Sequence, residues 1–234
     1  MTDRRPADTA AIIVAAGRSR RMEGEDKLWL PLSGTDGRSR PLLAYTLAAF
    51  QTCAAVGRLL LVVAEDSVER ASALIQKEGF DNVCAVVPGG DRRQDSVRAG
   101  LEALGHSTWV IIHDGARPLV TAALIERGLA EAEETGAACC ALPVADTVKE
   151  SDAAGNIAST VDRSRLWLAQ TPQTFRYELL LEAHRNAKGE ATDDAGLVEA
   201  LGIKVRLHEG TRGNIKVTTP EDLALAQALL KATR

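Results

Sequence analysis

Short apolar runs alternate along the chain with longer segments in which apolar residues recur at helical spacing. The runs are Ala11–Ala15, Leu59–Ala64, Val83–Val87, Trp109–His113 and Ala137–Leu142, each ending at a polar or glycine-containing loop. Apolar at successive positions and rich in Val, Ile, Leu, Ala or Cys, they predict mostly parallel strands buried on both faces. Between them the spacing predicts helices near Leu42–Thr52, Asp66–Lys77, Asp95–Leu104 and Thr121–Thr135. In the third of these Val97, Leu101 and Leu104 fall at i, i+4 and i+7 and so share a face. Strand and helix alternating in this order predict an α/β sheet covered by helices.

The pattern changes after Pro143. Residues 144–168, VADTVKESDAAGNIASTVDRSRLWL, alternate loosely about Gly155-Asn156 and predict a β-hairpin arm that projects or clasps a partner. Helical spacing returns near Glu178–Asn186 and Asp194–Ala200, with strands expected near Lys204–His208 and Asn214–Val217. A last helix follows Thr219-Pro220-Glu221-Asp222, which supplies an N-cap hydroxyl, a proline at the first helical position and an acid at N3. One domain over residues 1–234 with one excursion accounts for the pattern.

Composition narrows the function classes. A chain of 234 residues buries roughly 70% of its unfolded surface, enough for a core without disulfides or structural metal. Net charge is -4, so neither nucleic acid nor an anionic membrane is an expected partner. Cys53, Cys84, Cys139 and Cys140 form no CxxC pair and are expected to be reduced and buried. His106, His113, His184 and His208 are scattered without the spacing of a zinc site. The apolar runs fall far short of the ~20 residues of a membrane helix. Acids interrupt the basic N-terminal start, so the segment does not read as a signal peptide and a cytoplasmic protein is expected.

Ligands of open α/β sheets bind beyond the carboxyl ends of the strands, which directs attention to the loops there. The loop after the first run, GRSRRMEGEDK, has neither GxGxxG nor GxxxxGK[ST]. It sets Arg18, Arg20, Arg21 and Lys27 against Glu23, Glu25 and Asp26, a near balance that suits a solvated loop as well as an anion site. Ala15, Ala16 and Gly17 before it leave a ligand room to approach the backbone, and arginine and lysine can fold over a polyphosphate. After the third run, PGGDRRQDS places Gly89 and Gly90 before a helix start marked by Asp95 and Ser96; the pair permits backbone contact with a flat base, or simply a tight turn. After the fourth run, HDGARP puts Asp114 at the strand end, where a carboxylate suits Mg²⁺ held with substrate phosphates or caps its own loop. Together the three loops point to a nucleoside triphosphate bound with Mg²⁺.

The order of these segments resembles the 2-C-methyl-D-erythritol 4-phosphate cytidylyltransferases, nucleotidyltransferases of the non-mevalonate isoprenoid pathway with a Rossmann-like sheet. The resemblance runs almost end to end, on AAGRSRRM (15–22), GGDRRQDSV (89–97), HDGARP (113–118), PVADTVK (143–149), TVDRSRLWLAQTPQTF (160–175), TDDA (192–195) and NIKVTTPEDL (214–223). It implies transfer of CMP from CTP to 2-C-methyl-D-erythritol 4-phosphate with release of pyrophosphate. It further implies that Ala15, Ala16, Gly17, Gly90, Asp91 and Ser96 surround the cytidine nucleotide, that Arg21 and Lys27 contact its phosphates in the transition state, and that Asp114 helps hold Mg²⁺. Arg163 and Lys216 match residues that position the methylerythritol phosphate, with Arg117, Thr147, Thr171 and Thr192 as further candidates around it. A homodimer is implied, in which the arm lends residues to the neighbouring site.

The implied chemistry needs no general base. A phosphate monoester has a second pKa of about 6 and is largely dianionic at neutral pH, so the protein's task is in-line positioning and charge stabilisation. Two alternatives stand beside this reading: a cytidylyltransferase for another polyol phosphate such as ribitol 5-phosphate, and a non-catalytic nucleotide-binding protein. Retention of Lys27, Asp114 and Lys216 weighs against the second. The chain departs from the family pattern in having Asp26-Lys27-Leu28 where Pro-Lys-Gln is usual, a longer turn at Ser33–Pro41, and Gly115 where alanine is common.

Overall fold

A computed structural model describes residues 8–17, 26–34 and 36–232. Along the chain β1 (Thr9–Ala15) is followed by a one-turn 3-10 helix (Lys27–Trp29), an antiparallel pair β2 (Pro31–Ser33) and β3 (Ser39–Pro41), and α1 (Leu42–Gln51). Strand and helix then alternate as β4 (Arg58–Val63), α2 (Val68–Glu78), β5 (Val83–Pro88), α3 (Arg93–Leu104), β6 (Trp109–Asp114), α4 (Ala122–Thr135) and β7 (Ala137–Pro143). The arm strands β8 (Val148–Ser151) and β9 (Ile157–Val161) precede β10 (Trp167–Arg176), α5 (Tyr177–Asn186), α6 (Asp194–Glu199), β11 (Arg206–Glu209) and α7 (Pro220–Ala232).

Seven strands form one sheet in the order β11-β7-β10-β6-β1-β4-β5. Neighbours from β6 to β5 are parallel, β11 is parallel to β7, and β10 alone runs the other way between β6 and β7. The carboxyl ends of β1, β5, β6 and β7 therefore share one edge of the sheet, joined there by the start of β10, where Trp167 pairs with Pro143. The apolar runs are continuous because both faces are covered. Ala11, Ile13, Leu59, Leu61 and Ile111 pack under α1, α2, α4 and α7, while Ala10, Ile12, Leu60, Val62, Val110 and Ile112 pack under α3, α5 and α6.

Several expectations are corrected by this arrangement. β5 lies at the sheet edge, so it is only half-buried and Cys84 is exposed, unlike the buried Cys53, Cys139 and Cys140. Asn214–Val217 is irregular rather than a strand. Its backbone groups are met elsewhere: the Asn214 carbonyl accepts from Arg117 Nη1 at 2.7 Å, and Val217 N–H donates to the Ala116 carbonyl at 2.9 Å. Apolar patterning does not predict β10, which is nonetheless a central strand. Its register shifts between Ala169 and Gln173, which puts Pro172 at an irregularity where no ladder N–H is required.

The hairpin arm forms as expected. Gly155 takes a left-handed φ of 84° in its turn, and Asp152 Oδ1 accepts the N–H groups of Ala154 and Asn156 at 2.9 and 2.8 Å. The last helix is capped as its tetrapeptide predicts. Thr219 Oγ1 accepts the Asp222 N–H at 3.3 Å, and Asp222 Oδ2 accepts the Thr219 N–H at 3.0 Å.

Candidate active site

At the carboxyl edge Asp114 ends β6, with its amide N–H donated to Thr171 Oγ1 of β10 at 3.0 Å. The carboxylate is buried among three cations: Lys216 Nζ at 2.9 Å, Arg93 Nε at 3.5 Å and Arg117 Nε at 3.7 Å. Burial alone would raise its pKa, but Lys216 and Arg93, with Arg117 behind them, hold it well below the usual carboxylate range. Asp114 is therefore ionised at any working pH.

Each cation is fixed by a different part of the chain. Arg117 is buried on the loop after β6, and the Asn214 carbonyl that its Nη1 meets lies two residues before Lys216. Asn214 is itself buried and donates Nδ2 to the Thr171 carbonyl at 2.8 Å, which docks the segment carrying Lys216 against β10. Arg93 opens α3 and spans two acids, with Nη1 at 2.7 Å from Asp194 Oδ2 and Nε facing Asp114. Asp194 in turn accepts from His184 Nε2 at 3.0 Å. His113, beside Asp114, is buried against the Phe50 ring and donates Nε2–H to the Arg117 carbonyl at 3.3 Å. Burial pushes its pKa down to about 4, so it is neutral near pH 7 and braces the loop rather than carrying charge.

The expected nucleotide loops pack against each other on the β1 side. A Cβ on Gly89 would lie 2.4 Å from Ala16 Cβ and 2.6 Å from Ser96 Oγ, so the close approach of the two loops requires glycine. On Gly90 a Cβ would meet Asp95 Cβ at 2.5 Å, whereas on Gly17 it would meet nothing within 4 Å among the described residues. Ser96 is buried and engaged: its hydroxyl accepts the Gly90 N–H at 3.2 Å and donates to the Arg92 carbonyl at 3.1 Å. Asp91 is exposed beside this turn. Gly115 backs the AAG loop, where a Cβ would come 3.0 Å from Ala15 Cβ and 3.2 Å from Leu43 Cδ1.

Lys27 begins a 3-10 turn whose next two residues, Leu28 and Trp29, are buried. Asp26 Oδ1 accepts the Leu28 N–H at 3.2 Å, and the Arg70 guanidinium sits 4.3 Å from the Trp29 ring centre. Arg21, like the rest of 18–25, lies outside the described residues.

Of the residues expected around the acceptor, Lys216, Arg117 and Thr171 come together beside Asp114, and exposed Thr192 borders Asp193, which N-caps α6. Arg163 and Thr147 do not join them. Both are exposed at the base of the arm, where Arg163 Nη1 donates to the Ala145 carbonyl. Loop chemistry alone does not single out Arg93, Asp194 and Asn214, although all three lie inside the motifs GGDRRQDSV, TDDA and NIKVTTPEDL.

The expectation that Asp114 holds Mg²⁺ does not fit this geometry. A carboxylate with three cations between 2.9 and 3.7 Å has its oxygens committed, and their charge repels a divalent ion. Among the described residues no group of three or more His, Cys, Asp or Glu is arranged to hold a metal. No helix among them is long and apolar enough to cross a membrane.

Comparison with known proteins agrees with the motifs. Residues 9–232 match the family described as 2-C-methyl-D-erythritol 4-phosphate cytidylyltransferase. A protein of that name from Dehalococcoides mccartyi strain CBDB1 is 47% identical over 224 residues, 96% of each chain. A crystal structure of 4-diphosphocytidyl-2C-methyl-D-erythritol synthase from Anaerococcus prevotii superposes with a TM-score of 0.80 at 28% identity, covering 97% of both chains. The cytidylyltransferase of Thermus thermophilus does so at 0.77 and 37% identity, over 95% of this chain and 98% of that one. With these motifs in order on this sheet, the chain belongs to the 2-C-methyl-D-erythritol 4-phosphate cytidylyltransferase family.

Proposed function

We propose that this chain, as one nucleotidyltransferase domain, transfers CMP from CTP to 2-C-methyl-D-erythritol 4-phosphate, giving 4-diphosphocytidyl-2-C-methyl-D-erythritol and pyrophosphate. The observation that carries this reading within the family is the cluster of Arg93, Arg117 and Lys216 about one ionised Asp114, on the same sheet edge as the glycine loops. Three positive charges against Asp114 and Asp194 leave a local excess that suits an anionic acceptor.

The roles follow from side-chain chemistry. The backbone of Ala15, Ala16, Gly17 and Gly90, with Asp91, faces the cytidine nucleotide, and Ser96 keeps the Gly90 turn in shape. Arg21 and Lys27 take the triphosphate. Lys216 and Arg117, steadied by Asp114, take the acceptor phosphate, with Thr171 and Thr192 at its margin. An acceptor phosphate oxygen attacks the α-phosphorus as the bond to the β-phosphate oxygen breaks, and pyrophosphate leaves with that electron pair. The acceptor arrives dianionic, so no side chain needs to remove a proton. Mg²⁺ belongs with the triphosphate, since it binds through substrate phosphates and retained water more readily than to a carboxylate already paired.

Arg163 and Thr147 act from the arm on the neighbouring subunit's site in a homodimer. Their position apart from Asp114 supports this, as do Ile157, Trp167 and Leu168, which are 67%, 39% and 58% exposed on the arm and its base. The charged substrates suit an enzyme of the cytoplasm. Pyrophosphate release from CTP and Mg²⁺, compared between methylerythritol phosphate and ribitol 5-phosphate, tests the acceptor. Faster turnover with ribitol phosphate overturns it.

A further inference from the structure

We propose that Arg93 and Asp194 are positioning residues for the acceptor: Asp194 draws the Arg93 guanidinium to itself and so leaves Asp114 free to fix the Lys216 ammonium. The inference rests on the acceptor reading above and assigns a role to the buried TDDA acid, which that reading leaves without one. The side chain of Asp194 is 1% exposed and that of its partner His184 is 0% exposed. A carboxylate so enclosed persists only when both oxygens are paired, and here Oδ1 takes His184 and Oδ2 takes Arg93.

The distances show how Arg93 is shared. Its contact with Asp194 is 2.7 Å and its contact with Asp114 is 3.5 Å, while Lys216 holds Asp114 at 2.9 Å. The backbone that presents Arg93 is held independently, because Asp95 Oδ2 accepts the Arg92 N–H at 3.4 Å and the Arg92 carbonyl accepts the Ser96 N–H at 3.1 Å at the start of α3. If Asp194 loses its charge, the guanidinium has one carboxylate left within reach. It then closes on Asp114 and displaces Lys216, whose side chain is 41% exposed and free to swing into solvent. A lysine in place of Arg93 has one point of charge and cannot span both acids.

The test uses full-length Asp194→Asn and Arg93→Lys in steady-state kinetics with methylerythritol phosphate, alongside calorimetric binding of CTP with Mg²⁺. Both variants should raise KM for methylerythritol phosphate about 10-fold, the size of one charge-assisted hydrogen bond, with the Kd for CTP within about twofold of wild type. Arg93 is partly exposed, so Arg93→Lys keeps the test if Asp194→Asn fails to fold. A wild-type KM in Arg93→Lys overturns the inference, as does a loss of CTP affinity in step with KM, which would mean general loosening. Absence of pyrophosphate release by wild type itself overturns the acceptor reading, and this inference with it.

Discussion

Replacing Asp114 with asparagine keeps its shape and removes the anion at the centre of the cluster. Arg93, Arg117 and Lys216 would then face one another with no carboxylate between them. Removing one partner of a buried ion pair costs about 3–5 kcal/mol, because the charges left behind are still desolvated. The lower end applies here: the Lys216 side chain is 41% exposed and escapes to water, and Arg93 retains Asp194, whereas the Arg117 side chain at 10% exposure has no such route. A loss of about 3 kcal/mol in a protein of this size lowers Tm by roughly 6–12 °C. Differential scanning calorimetry of wild type and Asp114→Asn near pH 7 measures it.

The pH dependence of that difference is a second constraint. The folded-state pKa of Asp114 is depressed, so its contribution is fully present above the unfolded value of about 3.9 and is lost as pH falls through the native value. The gap between the two proteins should therefore hold from pH 7 to about 5 and close only in stronger acid. A Tm within about 2 °C of wild type at pH 7, or a gap that closes already near pH 6, would refute the account of Asp114 as the paired anion.

Three other outcomes follow from the geometry. Lys27→Ala should lower turnover by about 10²–10³, the cost of losing one preorganised charge on the transition state, and unchanged pyrophosphate release would remove Lys27 from the phosphate role. His113 is buried with its pKa pushed down to about 4, so the unfolded chain gains its proton first as pH falls below about 6.5. Wild type should accordingly lose about 2 kcal/mol between pH 7 and pH 5 by urea unfolding that His113→Asn does not lose; parallel curves would contradict this. In the proposed homodimer, Ile157→Asp with Leu168→Asp should give a monomer in sedimentation velocity and abolish turnover with CTP binding retained, and a variant that stays dimeric would show that the arm is not the interface.

The legibility of the chain divides along a physical line. β1, β4, β6 and β7 are readable because burial on both faces leaves them apolar at consecutive positions. The same composition overstates β5, since an apolar run does not distinguish a central strand from one at the sheet edge. β10 is hidden for the opposite reason. Its buried residues include Gln170, Gln173 and Thr174, and hydrophobic patterning passes over a strand whose interior is polar. The two glutamines are buried because they have partners, as where Gln173 Nε2 donates to Asp193 Oδ2 at 2.8 Å and its Oε1 accepts the Ala195 N–H at 3.0 Å. The cations around Asp114 are likewise invisible to spacing, because residues 93, 117 and 216 meet only through the strand order β10-β6-β1 and the docking of Asn214 on β10.

The departure around Lys27 shows how a site position can be held by different means. Where proline and glutamine usually flank the lysine, this chain has Asp26 and Leu28, and both have local tasks: Asp26 takes the Leu28 N–H, and Leu28 with Trp29 is buried in the core beneath α1. Arg70 stacks on the outer face of Trp29 and closes the anchor from α2. The lysine backbone is thus moored by packing on its carboxyl side, and the neighbouring acid is spent on the turn that presents it. What matters is which charges are committed to structure, and the same holds at Asp114, whose carboxylate is committed to Arg93, Arg117 and Lys216.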